Sequence, residues 1–147
     1  MGTFVAYIGL MTQPRDVLFA SKLFQDWMTA LKERALLETH NQSHAMFRAV
    51  LHCLRRHMTT DQILNFADAL PPLPRGIFLE HWRPGDPAPL ASAENFLHEV
   101  IAALAPHHVP PDTIVSDVFA VLAAHSEPLA AKTMRSQLPV PLRPLWP

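Results

Sequence analysis

Four residues of one stretch carry the most concentrated chemistry in this chain. Arg48, His52, Arg55 and Arg56 stand at intervals of four, seven and eight, which on a helix places all of them along one face. Val50, Leu51 and Leu54 occupy the opposite face. Such a basic stripe either faces water or receives an acidic protein partner or a nucleic-acid backbone. Arg75 follows nearby in sequence, and Arg143 holds the matching place near the carboxyl terminus. An arginine just beyond a helix stop suits a contact to a carboxylate, or to carbonyls that end a helix.

Nine histidines are scattered along the chain. His40 and His44 would lie one turn apart if a helix reaches back to His40, and they are then the best metal candidates. The polar run Asn41 to Ser43 argues against that extension, and two imidazoles fall short of the three or four ligands that a zinc site needs. His107 and His108 with Asp112 make a second, loop-borne group. His57 and His125 suit the carbonyl ends of helices, where they can donate and face the negative pole of the helix dipole. Cys53, the single cysteine, lies beside Val50 and Leu54, so it reads as a small buried apolar residue rather than a nucleophile. Glycine-rich phosphate loops, Gly-x-Ser-x-Gly elbows and His-Glu-x-x-His metal helices are absent from the sequence. No cofactor is expected, and a binding protein is favoured over an enzyme.

These residues must be positioned by helices. Apolar residues recur at three- and four-residue spacing through Leu23, Phe24, Trp27, Met28 and Leu31, then through Met46, Phe47, Val50, Leu51, Leu54 and Met58. Thr59-Thr60-Asp61-Gln62 has the form of a capping box that opens a third helix, and Pro71-Pro72 closes it. A short helix is expected over 74–82. Further stripes run through Phe96 to Leu104, through Ile114 to Leu122, and onward from Pro128, whose missing amide is harmless in a first turn. Apart from Phe4 to Ile8, no window alternates as a strand would. The expected fold is all-α.

The helices also repeat. Displaced by 68 positions, residues 49–78 fall on 117–146 without a gap and six of the thirty pairs are identical. They include Val50 with Val118, His57 with His125, Leu70-Pro71 with Leu138-Pro139, and Arg75 with Arg143. We therefore expect an extension over 1–15 and one domain over 16–147. That domain comprises two pseudo-repeated units of three to four helices, 16–82 and 92–147, joined by a proline-rich linker at 83–91. The basic stripe has no twin. Its counterparts are Ser116, Ala120, Ala123 and Ala124, a small-residue face suited to close helix packing within the domain or across a homodimer.

Composition limits the partners. Hydrophobic residues make up 49% and charged residues 17%, with a formal net charge of -1. Bulk electrostatics will not draw the molecule onto nucleic acid or an anionic membrane, so any such binding needs a local patch. No stretch is long enough to span a bilayer, and Phe4 to Met11 lacks the basic flank of a signal peptide. With one cysteine, these features point to the cytoplasm. Phe4 to Met11 would cover an end of the core or dock on a partner.

Several spaced motifs bear a resemblance. Arg48-Ala-Val-Leu-His-Cys-Leu-Arg-Arg-His57, Leu70-Pro-Pro-Leu-Pro-Arg-Gly-Ile-Phe78, Glu80-His-Trp82 and the closing Leu138-Pro-Val-Pro-Leu-Arg-Pro-Leu-Trp-Pro147 resemble the DUF2267 family over about residues 20–147. The resemblance implies a bacterial helical protein whose molecular function is not established, and it supplies no catalytic residues. The chain departs from the family pattern in having proline at 74 and 141. The expectation is therefore an interaction module that binds an unidentified protein through the stripe, with nucleic acid as the alternative on the same face.

Overall fold

A computed structural model describes residues 14–147. Phe4 to Met11, read above as a cover or a docking segment, lies outside the described residues. Among the described residues there are seven α-helices, one 3-10 helix and no strand. The helices are α1 (Arg15–Arg34), α2 (His40–Arg55), α3 (Thr60–Ala69) and α4 (Pro72–Leu79), followed by α5 (Ala93–Leu104), α6 (Ile114–His125) and α7 (Pro128–Gln137). The 3-10 helix spans Val140–Leu145.

Local chemistry sets the boundaries. Thr39 opens α2 through a capping box with Gln42, and Thr59 opens α3 through one with Gln62. In each, the threonine hydroxyl accepts an amide that the helix leaves free while the glutamine reaches back. Ser92 caps α5 by accepting from the Asn95 amide. Proline stands at the start of α4 and α7, where its fixed φ suits a first turn. The expected break at Asn41 to Ser43 is not there: α2 begins at His40, because Gln42 is a cap partner rather than a loop residue. α1 ends in a Schellman turn, with the Leu37 amide on the Lys32 carbonyl and Leu36 in the left-handed region at φ 57. Leucine tolerates that backbone poorly.

The buried side chains form one contiguous cluster that runs from Trp27 to Trp146. At its centre lies α2, with Met46, Phe47, Val50, Leu51, Cys53 and Leu54 all buried. It packs against α1, α4, α5 and α6, while α3 packs against α7. Ser43 is buried inside this centre and donates to the Met28 carbonyl at 2.7 Å. Arg83 to Ser92 carries no regular structure and forms the strap between α4 and α5. Among the described residues, no helix is long and apolar enough to cross a membrane.

Cys53 lies in this core, as its neighbours predict. Burial pushes its thiol up to about 11, with the nearby Glu99 carboxylate adding to the effect and Arg56 opposing it. A thiol of that kind carries almost no thiolate at neutral pH. Labelling by a maleimide reagent should therefore be slow in native buffer and rapid in urea. Rapid labelling of the native protein would place Cys53 at the surface.

Candidate functional site

The basic stripe runs along α2, and three of its four members turn towards the end of α4. Arg55 donates from one guanidinium nitrogen to the carbonyls of Phe78 and Glu80, both at 2.7 Å. His52 donates from Nε2 to the Ile77 carbonyl at 2.7 Å. Arg48 makes a longer contact, 3.4 Å to the Glu80 carboxylate. The last carbonyls of a helix have no partner inside it and carry the negative pole of its dipole. Cationic and imidazole donors from α2 satisfy them here. Arg56 stands apart: its side chain is 61% exposed and only approaches Glu99, at 3.9 Å. An exposed pair at that distance contributes little.

The other two arginines close the helices that precede them. Arg75 donates to the carbonyls of Ala67 at 2.8 Å, Asp68 at 3.3 Å and Leu70 at 2.7 Å, across the last turn of α3. Arg143 does the same for α7, with Leu138 at 3.2 Å and Ser136 at 3.5 Å. The structure therefore does not bring the six basic residues together. Four of them lie on the carbonyl ends of three helices, while Arg48 and Arg56 contact the carboxylates of Glu80 and Glu99.

A groove does form where α2 passes the end of α5. Arg48 and His52 meet His107 and His108 there, over a floor of Ala45 and Ala49 from α2 and Ala103 from α5. Its volume is about 390 Å³. The Arg48 Nε is buried and has no hydrogen-bond partner among the described residues. His107 and His108 follow α5 in a turn, each bonded through its amide to the Leu104 carbonyl. In the sequence these two histidines stand more than fifty residues beyond the stripe. Only the packing of α2 on α5 joins them.

His40 and His44 do lie on one helix, one turn apart, because α2 begins at His40. His40 Nε2 already contacts the Thr29 hydroxyl at 3.2 Å, and His44 packs edge-on against Phe24. Both line a cleft with Gln25, Met28 and Asn41. Among the described residues, no group of three or more His, Cys, Asp or Glu side chains is placed to hold a metal ion.

Asp117 escaped sequence reading, and the His57 ring has partners other than the helix-end carbonyls expected of it. His57, at the end of α2, is buried, with Nδ1 2.8 Å from the Ala88 carbonyl and Nε2 2.8 Å from the Glu99 carboxylate. It ties the strap to α2 and α5. The Ala88 amide completes the tie by donating to the Arg56 carbonyl at 2.8 Å. Asp117 is buried in the first turn of α6, paired with Arg34 at 3.3 Å and accepting from the Thr113 hydroxyl at 2.7 Å. Its one visible signal is a lone carboxylate between Ile114-Val115 and Val118-Phe119, in a first turn where the dipole favours it.

The geometry accords with a match along the chain. The profile of an uncharacterised conserved protein family, DUF2267, matches residues 24–145. The chain belongs to the DUF2267 family. No curated protein matches it. The matched span of this DUF2267 protein takes in the stripe, the groove, both carbonyl-closing arginines and nearly all of the core.

The imidazoles near the stripe give the site a pH response. His52 is held below its ordinary value of 6.5 chiefly by burial. Arg55 and Arg48 add to the lowering, while the Ile77 carbonyl and Glu80 oppose it. His44 is lowered by burial and then by Arg48, with Glu80 opposing. In both cases the unfolded chain binds a proton more readily than the fold. Stability held by the neutral rings is therefore complete above pH 6.5 and is lost as pH falls below it, towards the lower folded values. The melting temperature should drop between pH 7.5 and 5.5, and the drop should shrink in the double variant His44→Gln/His52→Gln. An equal drop in wild type and variant would contradict this assignment.

Proposed function

We propose that this chain is a non-enzymatic helical interaction module whose groove between α2 and the end of α5 takes an acidic segment of a protein partner. The observation that carries the reading is the meeting of Arg48 and His52 with His107 and His108 in one groove. The alanine floor lets an incoming backbone approach closely. The Arg48 side chain is 38% exposed and holds Glu80 only at 3.4 Å, and a carboxylate is the acceptor that fits an arginine best. Binding therefore centres on part of the stripe, with Arg55, Arg75 and Arg143 holding helix ends and Arg56 on the rim. We keep the cytoplasm as the location, on the single buried thiol.

Nucleic acid would need the stripe free along its length, since affinity for a phosphate backbone grows with the number of cations facing it. With Arg55 and His52 on the α4 carbonyls and Arg48 beside Glu80, the protein reading is the better supported. The two-unit organisation over 16–82 and 92–147 is part of the same proposal. It is supported by the equal lengths of α3 and α7, ten residues each, and by an arginine that closes each of them. A homodimer through the small-residue face has Ala124 available, whereas Ala120 is buried within the chain.

The groove is tested with a fluorescein-labelled ten-residue glutamate peptide, with a lysine peptide of the same length beside it. The acidic peptide should bind and the basic one should not. His107→Glu/His108→Glu adds two carboxylates to the turn after α5 and should weaken binding at least tenfold with unchanged helical content. Arg56→Glu should change it less than threefold. Equal binding of both peptides, or full binding to the double variant, would remove the groove as the site.

A further inference from the structure

The strap between α4 and α5 is fastened to the end of α2 by a polar tie at Ala88. The Ala88 carbonyl lies 2.8 Å from His57 Nδ1, and the Ala88 amide donates to the Arg56 carbonyl at 2.8 Å. On the far side of the ring, His57 Nε2 lies 2.8 Å from one Glu99 carboxylate oxygen and 3.1 Å from the other. We propose that His57 and Glu99 form a proton-operated clasp, which holds the strap at Ala88 while the pair shares one extra proton and lets it go when that proton leaves.

The proton follows from a count of donors. A backbone carbonyl and an ionised carboxylate can only accept. A neutral imidazole carries a single N–H, so it serves one of these two neighbours and points a lone pair at the other. Both short contacts form together only when a second proton sits between the ring and Glu99, on Nε2 or on the carboxyl. Solvent gives little relief, because the His57 side chain is 1% exposed and a buried contact left unmade carries its full desolvation cost. Once the extra proton is gone, the ring keeps one N–H for two acceptors. The bond to a charged carboxylate is the stronger of the two, so the N–H goes to Glu99. Ala88 then faces a lone pair, and the strap is released.

The groups around the pair leave the decision to that proton. Arg56 on α2 is 3.9 Å from Glu99 with its side chain 61% exposed, so its pull on the carboxylate is weak. Cys53 stands one turn back on α2, and burial, with Glu99 adding to it, keeps its thiol protonated. Phe96 on α5 meets the His57 ring edge-on and fixes its plane between the two acceptors. Leu90 packs against the core two residues beyond Ala88. What opens is therefore the part of the strap that precedes it.

The full chain, labelled with nitrogen-15, reports the clasp through exchange of the Ala88 amide, taken at each pH relative to an unstructured peptide. In wild type this protection should fall about tenfold or more between pH 6 and pH 9, the share that one hydrogen bond to a charged group supplies. The Leu54 amide inside α2 should keep its protection. Glu99→Gln is the deciding variant. Its side-chain amide can donate to Nε2, so a neutral ring then satisfies both neighbours, and Ala88 should stay equally protected across the range. Arg56→Met should retain the wild-type fall. A level profile in wild type, or an equal fall in Glu99→Gln, would overturn the proposal. So would a parallel fall at Leu54, which would make the loss a general loosening of α2.

Discussion

The carbonyl ends of short helices set the constraint around which this molecule is arranged. Each α-helix leaves its last carbonyls without internal partners. The common remedy, a glycine in the left-handed region just past the end, is absent here: no described glycine has a positive φ. Instead a guanidinium or an imidazole from another position supplies the donors. Arg55 and His52 close α4, Arg75 closes α3, and Arg143 closes α7. Hydrogen bonds to charged groups contribute about 1.5–3 kcal/mol each in favourable settings, against a domain stability of about 5–15 kcal/mol. A few such closures are therefore a large share of what keeps the chain folded.

This constraint explains why the stripe has its form. A helix end can be closed only by donors that stand opposite it, so the spacing of Arg48, His52 and Arg55 follows the geometry of α4 crossing α2. The same requirement limits what remains for binding. Arg48 reaches only a 3.4 Å contact with Glu80 and its side chain is 38% exposed, so it is the least engaged of the three. The groove with His107 and His108 is thus the part of the basic surface that the fold has not consumed.

Much of the fold was legible in the sequence. Three- and four-residue spacing located the helices, the Thr59 box and the Leu-Pro stops located their ends, and Cys53 sat where its apolar neighbours placed it. The start of α2 was misread because Asn41, Gln42 and Ser43 look like a loop in isolation. The capping partnership of Thr39 with Gln42 and the burial of Ser43 against Met28 make them helical. The site was much less legible. Spacing grouped Arg48, His52, Arg55 and Arg56 on one face, of which Arg56 turns away from the other three, and a helix face does not say what crosses it. The approach of α4, and of the turn carrying His107, depends on tertiary packing. The same holds for His57, whose partners Ala88 and Glu99 are 31 and 42 residues away.

The most direct test of this account is equilibrium unfolding in urea of Arg55→Met, Arg75→Met and Arg56→Met beside wild type. Methionine keeps much of the apolar stem while it removes the donors. Loss of the carbonyl closures should cost Arg55→Met and Arg75→Met about 2–4 kcal/mol each, with Arg56→Met within about 0.5 kcal/mol of wild type. Three variants of equal stability would contradict the claim that cationic side chains close these helices.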